Sequence, residues 1–147
     1  MRQSGMKALL QQPLLKDLRV LAVDDQQELL ESLTVLLEQQ GAEVIACATA
    51  RGAFDALTGG AAVDAAVFDI SMPGEDGLTL MCRLRAWEAS HSAGRLPVIA
   101  LTAHVTTEMR LQCAAAGFDH YLPKPVSPVA LFSSLRRLAL LERQPAD

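Results

Sequence analysis

No stretch of this 147-residue chain approaches the ~18 uninterrupted apolar residues of a membrane span, although half of its residues are hydrophobic. Arg2 and Lys7 could open a targeting segment, but Gln11, Gln12 and Pro13 break the apolar stretch behind them. No membrane insertion by this chain is expected. Cysteine is sparse and unpatterned. Cys47, Cys82 and Cys113 have neither C-x-x-C nor metal-ligand spacing and sit among apolar or small neighbours, which reads as buried, reduced thiols of a cytoplasmic protein. A basic stripe is missing too: the net charge of −4 argues against a direct nucleic-acid partner. Gly59-Gly60 and Gly74-x-x-Gly77 lack the spacing of a phosphate-cradling loop. No serine stands in a G-x-S-x-G elbow, and His91, His104 and His120 are not spaced as a metal set. There are no internal repeats and no low-complexity tracts. A single well-cored domain is what this length and hydrophobicity allow.

What is present is alternation. Val20–Val23, Val44–Ala46, Ala65–Phe68, Pro97–Leu101 and Asp119–Leu122 read as short apolar strands, and a helical stretch follows each. The first helix carries Leu29, Leu30, Leu33, Leu36 and Leu37 at core spacing and stops at Gly41. Thr49 caps the second, which ends at Gly59-Gly60. The third spans Leu78–Glu88 with Leu78, Met81, Leu84 and Trp87 inward, and Ala89–Arg95 reads as a loop. The fourth covers Val105–Ala116 and closes at Gly117. Ser127 caps the last, with Pro128 at its first position and Val129, Leu131 or Phe132, Leu135 and Leu138 inward. Strand–helix alternation with strands apolar on both faces predicts an α/β fold: a doubly wound parallel sheet between helices. Residues 1–17 read as an extension or linker, 18–141 as the domain and 142–147 as a tail.

The strands end in polar groups. Asp24 and Asp25 follow the first strand, Asp69 the third, Thr102 the fourth and Lys124 the fifth. In a doubly wound sheet all carboxyl ends point one way, so these groups can converge on one crevice. Three carboxylates there repel: at ~4 Å and an effective dielectric near 20, each pair costs roughly 4 kcal/mol. A hard divalent cation with oxygen ligands offsets that repulsion, and Lys124 supplies a second, fixed positive charge. A carboxylate beside a divalent ion, a lysine and a hydroxyl suits phosphoryl transfer through an aspartyl phosphate. No general base is needed, because the carboxylate is already ionised at neutral pH.

The motifs VLAVDD (Asp24, Asp25), VFDISMPGEDG (Asp69), ALTAH (Thr102) and YLPKP (Tyr121, Lys124, Pro125), in this order and spacing, resemble the receiver domains of two-component phosphorelays. The likeness covers roughly Leu18–Leu140 and extends to the chemotaxis response regulator and to receivers of hybrid histidine kinases. It implies a five-stranded (βα)5 flavodoxin-like sheet in the order 2-1-3-4-5. It implies Asp69 as phosphoacceptor, with Mg2+ held by Asp25 and Asp69, by Asp24 largely through bound water, and by the backbone carbonyl of Ser71. Thr102 and Lys124 would bind phosphoryl oxygens, Lys124-Pro125 would be a cis peptide, and Tyr121 would join Thr102 as the switch. The implied partners are a histidine kinase or a histidine phosphotransfer protein, with a downstream output protein or domain. Gly74 in the turn and the length of the Ala89–Arg95 loop depart slightly from the family.

Simpler readings stand beside these. Asp24 and Asp25 could only cap a helix, Asp69 could only end its strand, and Thr102 could be a plain cap. His104 reads best as a solvated surface residue, and Trp87 as packing. An enzyme that turns over small phosphorylated substrates through an aspartyl phosphate is the alternative function. It would want a second aspartate where Ser71 stands, and a cap domain. A docking-only pseudo-receiver is disfavoured by the intact acidic pair and lysine.

Overall fold

A computed structural model describes residues 13–70, 77–104 and 106–143. The elements are β1 (Arg19–Val23), α1 (Gln27–Gln39), β2 (Glu43–Cys47), α2 (Ala50–Thr58), β3 (Ala65–Asp69), α3 (Gly77–Ser90), β4 (Val98–Thr102), α4 (Thr107–Ala116), β5 (His120–Pro123) and α5 (Pro128–Arg143). All five strands are parallel, in the order β2-β1-β3-β4-β5, the flavodoxin-like arrangement that the resemblance implies. Among the described residues, no helix is long and apolar enough to cross a membrane.

The strands are apolar throughout because both of their faces are covered, and successive side chains divide between two cores. Val20, Ala22, Ala65, Val67, Ile99, Leu101 and Leu122 pack under Leu30, Leu33 and Leu37 of α1 and Leu131, Phe132 and Leu135 of α5. Leu21, Val23, Ala66, Phe68, Val98 and Ala100 pack under α2, α3 and α4, through Ala53, Leu80, Met81, Leu84 and Cys113. Phe68 meets Phe118 edge to face at 6.0 Å. The packed body also takes in the turn ahead of β1: Leu15 is fully buried, and its N–H donates to the Gln40 carbonyl at 2.8 Å.

Helix ends follow the caps. The Thr49 hydroxyl accepts from Gly52 N–H at 3.0 Å, and Thr106 does the same for Met109 at 3.0 Å. The latter cap sets the start of α4 at Thr107, later than Val105, which lies outside the described residues. Gly41 and Gly117 take left-handed φ values of 92° and 110° just past α1 and α4.

Several inward assignments fail for an angular reason. Leu29 is 45 % exposed, since it falls beside the Leu30–Leu33–Leu37 stripe and not on it. Val129 is 71 % exposed: it stands two positions, about 200°, before Leu131 around the helix. On α3 the inward stripe is Leu80, Met81 and Leu84, continued by Glu88 and not by Trp87, which is only half-buried. Cys82 is two positions beyond Leu80, so it faces solvent and is not a buried thiol. The helix also runs on through Ser90, which shortens the expected loop.

Candidate functional site

The carboxyl ends of β1, β3, β4 and β5 meet at one edge of the sheet. Asp24 continues β1, its N–H donating to the Cys47 carbonyl at 3.2 Å, and its Oδ1 accepts from Gln26 N–H at 2.9 Å. That side-chain bond turns the chain into α1 and fixes the carboxyl group at the sheet edge. Asp69 is the last residue of β3, held in register opposite Leu101. Both carboxyls are buried, while Asp25 is exposed. An oxygen of each of Asp24, Asp25 and Asp69 lies within 4.8 Å of the others. Burial is the main reason the Asp24 carboxyl sits above its usual range. The Gln26 N–H and Lys124 pull it down, and Asp69 pushes it up.

Lys124 is the counter-charge. Its Nζ lies 3.0 Å from Asp69 Oδ2 and 3.8 Å from Asp24 Oδ2. Its N–H donates to the Thr102 carbonyl at 2.7 Å, and its peptide bond to Pro125 is cis. Among the described residues, three carboxylates against one ammonium leave an excess of negative charge, all of it on oxygen. A hard divalent cation fits that donor set: the 4.8 Å spread is close to the ~4.2 Å between opposite ligands of one Mg2+.

Thr102 ends β4 fully buried, and its hydroxyl is occupied by the loop beyond it. Oγ1 accepts from His104 N–H at 3.0 Å and lies 3.4 Å from the His104 carbonyl. His104 itself is exposed, as expected of it. Tyr121 pairs in register with Ala100 on β4, half-buried against the α2/α3/α4 core. Ser71 lies outside the described residues. Gly77, the first residue of α3, is needed for close approach: a Cβ there would stand 2.7 Å from Ile70 Cα and 3.0 Å from the Asp69 carbonyl.

A charged network went unread in the sequence because its members look like ordinary helix and loop charges. Arg85 donates to Glu88 Oε1 at 2.8 Å, to the Gly117 carbonyl at 2.9 Å and to Asp119 Oδ2 at 3.1 Å. Glu88 is buried and its other oxygen accepts from Leu96 N–H at 2.8 Å. The i,i+3 spacing of Arg85 and Glu88 was the one local signal. A groove of about 460 Å3 flanks the acidic cluster, walled by Leu29, Leu33, Leu36, Pro125 and Val126 as well as by Asp24 and Lys124.

Residues 20–136 match the model of the response regulator receiver domain. Among curated proteins, the sensor protein GacS of Pseudomonas syringae pv. syringae is 40 % identical over 109 residues, covering 74 % of this chain and 12 % of that protein. The sensory/regulatory protein RpfC of Xanthomonas campestris pv. campestris is 35 % identical over 129 residues, covering 88 % of this chain and 18 % of that one. The chain thus spans only 12 % to 18 % of the length of these relatives. Among solved structures, the receiver domain of the Francisella response regulator 1452 superposes with a TM-score of 0.77 at 26 % identity, covering 86 % of this chain and 100 % of that one. A match over most of the sequence, the β2-β1-β3-β4-β5 sheet and the acidic edge agree: the chain belongs to the response regulator receiver domains of two-component signalling.

Proposed function

We propose that Asp69 is the phosphoacceptor of this receiver and that it takes its phosphoryl group from a phosphohistidine. The carrying observation is the pairing of a buried strand-end carboxylate with two further carboxylates within 4.8 Å and a lysine at 3.0 Å. An Asp69 carboxylate oxygen attacks phosphorus, an O–P bond forms, the N–P bond of the donor breaks, and the histidine nitrogen leaves with the bond's electron pair and takes a proton. Mg2+, when bound, would supply positive charge to offset that of the phosphoryl oxygens. Asp25, Asp69 and, as the family resemblance implies, the Ser71 backbone carbonyl would hold it, with Asp24 acting largely through bound water. Lys124, already beside Asp69, pairs with a phosphoryl oxygen. The Thr102 hydroxyl exchanges its His104 contacts for another.

The role is that of a signalling switch and not of an enzyme that turns over a pool of substrates. Its donor is a histidine kinase or histidine phosphotransfer protein, and its product is a changed surface read by an output protein or domain. Likeness to sensor proteins supports a receiver that works alongside a kinase, in the cytoplasm. The apolar groove with Leu29 at its mouth and Asp24 and Lys124 in its wall offers the donor a docking face next to the acceptor. The test is labelling by acetyl phosphate or phosphoramidate. Wild-type protein is expected to take up phosphate only with Mg2+ present, and Asp69→Asn to take up none. Equal labelling in excess chelator would contradict the site.

A further inference from the structure

Tyr121 is the single tyrosine of the chain. Above its ring stands Arg110 of α4, with the guanidinium carbon 5.4 Å from the ring centroid, inside the ~6 Å reach of a cation–π contact. The placement is built in. Buried Cys113 and Ala116 fix the rotation of α4, and Arg110 stands one turn before Cys113, directed at β5. Arg110, Cys113, Phe118, Asp119 and Tyr121 line one groove of about 300 Å3. A carboxylate in that groove would ordinarily draw the guanidinium away from the ring. Asp119 is engaged elsewhere: Oδ1 accepts from Arg95 at 2.9 Å, and Oδ2 accepts from Arg85 at 3.1 Å and from Val98 N–H at 2.8 Å. Among the described residues Arg110 makes no ion pair, so its charge is directed at the tyrosine.

We propose that Arg110 is a latch on Tyr121: a positioning residue that holds the ring in its half-exposed rotamer and opposes its inward movement when Asp69 is phosphorylated. The inference rests on reading Asp69 as the phosphoacceptor and Tyr121 as a switch whose ring occupies either an exposed or an inward rotamer, and it adds the group that sets the resting position. The contact exists only while the ring face is turned to the guanidinium, so it stabilises one of two rotamers. A contact made in one state alone shifts the two-state ratio by its full worth. For an exposed cation–π pair that is about two- to fivefold.

The experiment compares wild type, Arg110→Gln and Arg110→Lys, substitutions at an exposed helix position. With one tyrosine, isotope-labelled tyrosine reports Tyr121 alone, and three-bond couplings give its χ1 populations. In unphosphorylated protein, Arg110→Gln is expected to raise the minor rotamer about two- to fivefold, while Arg110→Lys, which keeps the charge, stays near wild type. Unchanged populations in Arg110→Gln, or equal shifts in both variants, would overturn the latch. Titration with beryllofluoride and Mg2+ is then expected to saturate Arg110→Gln at a concentration lower by the same factor, and an unchanged midpoint would also overturn it. A wild-type protein that binds no beryllofluoride sinks the Asp69 reading instead, with the rotamer populations still deciding the latch.

Discussion

Asp69, Asp24 and Lys124 set the energetics of the site through a contest of charges. Asp69 gains from Lys124 at 3.0 Å and loses against two carboxylates within 4.8 Å and against its own burial at 2 % exposure. Replacing one of three clustered carboxylates by a neutral, nearly isosteric amide relieves like-charge repulsion. Asp69→Asn is therefore expected to raise the melting temperature, by about 2–4 °C for each ~1 kcal/mol of strain relieved in a chain of this size. A melting temperature that falls by more than a few degrees would mean that the Lys124 pair dominates. All these residues were legible in the sequence, because each stands at or just past the end of a strand. The occupied state of the Thr102 hydroxyl was not, since it depends on how the backbone folds back at His104.

The elements were legible from period and caps, and their exact faces less so. A helix turns about 100° per residue, so an apolar residue beside a stripe, such as Leu29 or Val129, cannot be told from one on it without knowing where the sheet lies. The same gap hid the network at the end of α3, where a buried Glu88 replaces the expected Trp87. There Arg85 ties α3 to the α4–β5 turn through the Gly117 carbonyl and Asp119. Removing it strands a buried carboxylate, the costly way to break such a pair. Arg85→Met is expected to lower stability by about 3 kcal/mol, read as a shift of the urea midpoint. A loss under ~1 kcal/mol would class the network with ordinary surface pairs.

At the scale of the whole molecule, the order β2-β1-β3-β4-β5 brings residues 24, 69, 102 and 124, up to 100 positions apart in sequence, to one edge. Alternation and both-face apolarity made a parallel sheet legible, and in such a sheet all carboxyl ends point one way, so their polar groups can converge. The strand order itself came through the family likeness and not from periodicity, which carries no information about lateral neighbours. The loop that follows Asp69, with Ser71, lies outside the described residues. On the proposed function, a phosphoryl group adds close to two negative charges at an edge already rich in them, and Lys124, Thr102 and Tyr121 are the groups proposed to respond. Asp69 is the proposed point at which that charge arrives. Borohydride reduces an aspartyl phosphate to homoserine, and mass spectrometry locates it. After treatment with acetyl phosphate and Mg2+, homoserine is expected at position 69 and nowhere else, and homoserine at 24 or 25, or none anywhere in a protein that carries phosphate, would contradict Asp69 as the phosphoacceptor.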